Sequence, residues 1–160
     1  MRVLVLGESY CGDIGDESED YTNIVVRNHA YIPGLSFFSL VTKLLRLYQD
    51  NPSDAERYEA WQQVALYNFL QELVGEQGRV RPTAQMWNDA ILMFLEVAHE
   101  LKPDVIVVLG YEPWHKAHQL PANQPVEWRS LRHPAGGMLY EESFAEFAKS
   151  LAAAKEKETV

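Results

Sequence analysis

Arg2–Gly12, RVLVLGESYCG, decides how the rest of the chain is read. Val3-Leu4-Val5-Leu6 is an unbroken apolar run that stops at Gly7. Its short length and lack of alternation read as a strand buried on both faces. The polarity then changes at once, to Glu8-Ser9-Tyr10 and on to Gly12. Ligands of open α/β sheets bind outside the carboxyl ends of the strands, so Glu8, Ser9 and Tyr10 are the first candidates for chemistry.

Working outward, 160 residues at 47% hydrophobic content suffice for one domain with a proper core. Fourteen basic against 23 acidic residues leave a net charge of −9, a field that repels polyanions unless positive charge is concentrated locally. Non-specific nucleic-acid binding is therefore not the default. With a strand starting near the first residue, no charged-then-apolar leader is expected, and no apolar run approaches the roughly 20 residues of a membrane-spanning helix. Cys11 is the only cysteine, which excludes a disulfide framework or a multi-cysteine metal or iron–sulfur cage within one chain. The expectation is a reduced, cytoplasmic protein with no membrane segment, no metal and no other cofactor.

Along the chain, five acidic residues between Asp13 and Asp20 match no calcium-loop spacing and read as a solvated loop. Thr22–Val26 reads as a short edge strand. After Pro33-Gly34, Ser36 is placed to cap a helix whose apolar face is Phe37, Leu40, Val41, Leu44, Leu45 and Tyr48. Asp54 opens a short polar helix or turn, and Val64–Tyr67 reads as a second strand ending at Asn68, its short length leaving a helical reading open. Gly75 and Gly78 bracket a loop leading to Arg79 and Arg81. Thr83 caps a long helix reaching about Leu101. Val105–Leu109 is a second buried strand, ending at Gly110 as the first ends at Gly7. Tyr111–His118 reads as a short helix or ordered loop. Val126–Leu131 alternates more, as an edge strand does, and runs into Arg132-His133-Pro134. A helix over Tyr140–Ala154 and a frayed tail over 155–160 complete the chain. This alternation predicts a three-layer α/β sandwich with a mainly parallel sheet of about four strands.

Polar groups thus follow three strands: Glu8, Ser9 and Tyr10 after the first, Asn68 after the second, His133 after the fourth. In a parallel sheet those ends share one edge. Each residue also has a structural reading. A histidine beside proline can serve a buried carbonyl, Asn68 can simply end a strand, and Phe37 can be core. His115 and His118 have a metal-compatible spacing but no third ligand.

In this order the pieces VLVLGESY, VALYN, DVIVVLG and LRHPAGG resemble the uracil-DNA glycosylase superfamily, and RPTAQMWNDAILMF stands where that superfamily carries the helix before its third strand. The resemblance covers Arg2 to about Gly137. It implies strand order 2-1-3-4 and a pocket for a flipped base or a nucleotide-like ligand, with DNA or a free base as partner. Glu8 or Ser9 would orient the attacking water. Gly7, Tyr10 and Phe37 would wall the pocket, with Phe37 stacked on the base. Asn68 would read the Watson–Crick edge, and His133 would hydrogen-bond the carbonyl oxygen of the departing base. Arg132, Met138 and Leu139 would contact DNA, the latter two as an apolar wedge.

The turn departs from the family pattern. Ser9 stands in place of an acidic or amide residue, Tyr10 in place of proline, and Ala135-Gly136 in place of Ser-Pro. The cysteine set of the iron–sulfur branch is absent. Two further possibilities follow: a catalytically inactive binding module of the same fold, and a serine esterase using Ser9 as nucleophile and His133 as base.

Overall fold

The computed structural model describes residues 1–9, 20–71, 81–118, 120 and 126–158. Tyr10, Cys11, Gly12, most of the acidic segment and Arg79 lie outside the described residues. The first strand, β1 (Val3–Gly7), is buried at every position, as is β3 (Val105–Leu109). The two pair in parallel, Val3 opposite Val105 through Leu6 opposite Val108. Outside them lie β2 (Val64–Asn68), paired with β1, and β4 (Glu127–Leu131), paired with β3. The sheet is four-stranded and all-parallel, in the order β2-β1-β3-β4.

Side chains alternate across a strand, so each central strand feeds two cores. Val3, Val5, Val105, Val107 and Leu109 point to one face, where they meet Phe38, Val41 and Leu44 of α2 (Ser36–Arg46), Trp61 of α3 (Asp54–Gln62) and Phe147 and Ala154 of α6 (Tyr140–Glu158). Leu4, Leu6, Ile106 and Val108 point to the other. There Trp87, Ala90 and Phe94 of α4 (Ala84–Leu101) and Ala117 of α5 (Tyr111–Ala117) cover them, with Phe69 and Leu70. The result is helices, sheet and helices in three layers.

Local signals explain most boundaries. Thr83 accepts from the Met86 amide at 3.2 Å, capping α4 as its position predicts. Ser53 and Glu56 form a reciprocal capping box at α3, turning the expected polar helix or turn into a definite helix. At α2 the cap is Leu35, without a side-chain hydrogen bond, and Ser36 is already the first helical residue.

Two further expectations are corrected. Thr22–Val26 is no edge strand; it lies within α1 (Tyr21–His29). Val25 and Val26 both pack against the same core cluster. A strand would send these neighbours to opposite faces, whereas a helix allows both to approach one core. The tail is also longer in helix than expected: α6 continues to Glu158, and Lys157 forms a 2.5 Å ion pair with Glu127 at the start of β4.

Between α2 and α3, the buried Thr42 hydroxyl donates to the Phe38 carbonyl at 2.7 Å and accepts from Trp61 Nε1 at 2.9 Å. Thr42→Val keeps the shape and strands the buried indole N–H. It is expected to lower stability by about 1–3 kcal/mol in urea unfolding, with an unchanged m-value.

Candidate functional site

Because all strands run the same way, Gly7, Asn68, Leu109 and Leu131 end on one edge. The chain leaves β1 toward β2 on one side and leaves β3 toward β4 on the other. The crevice between the ends of β1 and β3 is therefore the topological switch point, where such sheets bind ligands.

Asn68 is buried at 7% exposure and lies opposite Gly7 in register. A Cβ on Gly7 would overlap Asn68 Oδ1 and stand 3.3 Å from its Cγ, so the glycine is what lets the amide lie across the end of β1. The backbone is secured beneath it. Gly7 and Glu8 carbonyls accept from the Phe69 and Leu70 amides at 3.0 and 2.9 Å, and Gln71 Nε2 donates to the Asn68 carbonyl.

Glu8 and Ser9 are half-buried in the turn that follows. Burial holds the Glu8 carboxyl above its ordinary pKa; the Arg81 charge opposes this shift and Glu112, in the first turn of α5, reinforces it. From the sequence Arg81 is seen only at the end of a loop beside Arg79, and Glu112 is not singled out. The available signal was the parallel between the two strand-ending glycines: Gly110, at φ +114°, turns directly into α5 and brings Glu112 to the same edge.

His133 follows β4 and caps the single 3-10 turn Pro134–Gly136. Its Nδ1 accepts from the Ala135 amide at 3.1 Å, so the neutral ring carries its proton on Nε2. Burial lowers its pKa and favours that neutral form. The Phe37 ring lies beside it, centroids 5.8 Å apart at 33°, while also packing against the core. The structural and ligand-facing roles considered for Phe37 are thus compatible.

The predicted residues fall into two groups. Gly7, Glu8 and Asn68 cluster at β1 and β2, and Phe37 pairs with His133 beyond β4. β2 and β4 are three strand spacings apart, about 14 Å, with the ends of β1 and β3 forming the floor between them. No hydrogen bond joins Ser9 to His133 among the described residues. Arg132 is exposed and its aliphatic stem passes Gly136. The expected wedge pair divides: Met138 is buried at 8% in the core, and Leu139 is 56% exposed. Tyr10 lies outside the described residues.

These features define a parallel α/β domain with a half-buried carboxyl, an amide and a neutral imidazole along its switch-point edge. Compared with protein-family models and with curated proteins, the chain matches no family and no individual relative.

Two outcomes are expected. Gly7→Ala forces the Asn68 amide aside and destabilises by about 1–3 kcal/mol, whereas adding Asn68→Ala restores part of that loss; a double-mutant cycle measures the coupling. For His133, the unfolded chain takes up a proton near pH 6.5 before the folded protein does. Stability therefore falls as pH drops below about 6.5. Urea unfolding at pH 7.5 and 5.5 should show a smaller decrease for His133→Gln than for wild type, and the His133 Cε1–H resonance should titrate below 6.5.

Proposed function

We propose that this edge is a base-binding pocket of the uracil-DNA glycosylase type, and that it hydrolyses an N-glycosidic bond in a nucleic acid or nucleoside. The observation that carries the proposal is the fixed tautomer of His133, a neutral imidazole with its Nε2–H available and Phe37 alongside.

In the reaction the C1′–N bond breaks, its electron pair leaves with the base, and a water oxygen bonds to C1′. The His133 Nε2–H hydrogen-bonds the base carbonyl as negative charge develops there, a contribution worth roughly 3–4 kcal/mol at comparable sites. The Asn68 amide can donate and accept on the base edge. Glu8 takes the proton from water, and its desolvation makes it a stronger base than an exposed carboxylate. Phe37 offers a ring face to the base. At the rim, Leu139 is the exposed apolar side chain and Arg132 the exposed cation toward a phosphate.

A second reading is supported by Ser9 standing where the uracil-DNA glycosylase pattern has an acidic or amide residue. Under it, the pocket binds bases or nucleotides without turnover.

One set of measurements separates the two: release of uracil, hypoxanthine and xanthine from single- and double-stranded oligonucleotides, with thermal shifts by the free bases and nucleotides. Glycosidic activity predicts release in at least one context, reduced about 10²–10³-fold by His133→Ala, with Asn68→Ala weakening base selection. Saturable stabilisation with no release supports the binding module. No release, no stabilisation and a His133→Ala protein indistinguishable from wild type would remove both.

A further inference from the structure

Residues 111–118 carry four rings, Tyr111, Trp114, His115 and His118, and the proposed reaction uses none of them. In the structure these rings form a continuous path along α5 and its C-cap. Tyr111 meets His115 edge-on with centroids 4.1 Å apart, His115 meets His118 at 6.3 Å, and His118 lies flat on Trp114 at 4.4 Å and 12°. His118 Nδ1 donates to the Trp114 carbonyl at 2.6 Å, and Trp114 packs against the core behind it, so the far end of the path is held in place. At the near end Tyr111 is 73% exposed, and His115 is exposed as well.

The path begins at the base pocket. Gly110, at φ +114°, carries the chain from β3 into α5, and a Cβ there would stand 3.8 Å from His133 Cβ. Tyr111 is the next residue, at the end of a strand that lies between the Asn68 and His133 groups. From Tyr111 to His118 the helix advances about 10 Å, at roughly 1.5 Å per residue, which is the length of about three stacked bases. Exposed rings stack only on bases whose faces are free. A duplex hides those faces, and its doubled phosphate density meets a chain of net charge −9. Within α5, Lys116 is offset by Glu112, so this surface offers ring faces rather than phosphate neutralisation.

We propose that the rings of α5 form a stacking track for single-stranded DNA, which leads one strand to the base pocket. Successive bases pass over Tyr111, His115 and His118, and the next nucleotide enters the crevice beside His133. The inference deepens the proposed function and rests on it for the identity of the strand.

The test is fluorescence anisotropy with a short oligodeoxythymidylate, its duplex with oligodeoxyadenylate and the matching oligoribouridylate, together with amide shift mapping by NMR. Salt is held at about 0.15 M, where general charge attraction is screened. The single-stranded DNA should bind saturably and about tenfold or more tightly than the duplex, with shifts along residues 111–118. Tyr111→Ala and His115→Ala should each weaken it about fivefold or more, whereas Tyr111→Phe, which keeps the ring, should stay within about twofold of wild type. The wild-type shift map locates the site even if a variant does not fold. Shifts at Tyr111, His115 and His118 with none at Asn68 and His133 would uphold the track while removing the base pocket. Shifts confined to Asn68 and His133 would overturn the track and leave the pocket standing. No saturable binding, equal binding of the duplex, tighter binding of the RNA, or unchanged affinity in both alanine variants would overturn it too.

Discussion

Val3–Leu6 and Val105–Val108 are hydrogen-bonded side by side in the centre of the sheet, and the eight side chains are buried on both faces. At roughly 25 cal/mol per Å² of apolar area, leaving either face of this pair open to water would be strongly unfavourable. Both faces must therefore carry helices, and parallel strands need crossover connections long enough to supply them. The layer of α2, α3 and α6 and the layer of α4 and α5 answer that requirement.

The same constraint moves polar chemistry to the ends of the strands. At the carboxyl edge, burial acts on two groups of opposite charge type in one sense. It raises the Glu8 pKa and lowers that of His133, favouring the neutral form of each. A carboxyl made more basic and an imidazole kept as a neutral donor are separated functions of the kind acid–base chemistry requires. Glycine completes the edge, because only the absence of a Cβ at Gly7 permits the Asn68 amide to lie where it does.

α2 links the two ends of the molecule. Phe37, in its first turn, packs beside His133, while Leu45 and Arg46, in its last, line a cavity at the amino edge. Between them Phe38, Val41, Thr42 and Leu44 are buried, and Trp61 and Arg57 of α3 hydrogen-bond to Thr42 and Ser39. These bonds tie α2 to α3, and Phe37 itself packs against the same core. Among the described residues, no helix is long and apolar enough to cross a membrane.

Much of the fold is legible in the residues themselves. The continuous apolar runs of β1 and β3, the terminating Gly7, Asn68 and Gly110, and the Thr83 cap each express a local preference that the tertiary structure does not override. Thr22–Val26 reads as a strand because β-branched residues suit one intrinsically, whereas the segment is helical with Val25 and Val26 packed against one core. The candidate residues at the strand ends could be named in advance, since parallel pairing dictates a shared edge. Their surroundings could not. The Nδ1 bond that fixes the His133 tautomer, the approach of Glu112 and Arg81 to Glu8, the burial of Met138 beside exposed Leu139, and the ring contacts along α5 all depend on through-space distances. Sequence determined which residues end the strands; the packing of helices around the sheet decided which of them are desolvated, and desolvation sets their chemistry.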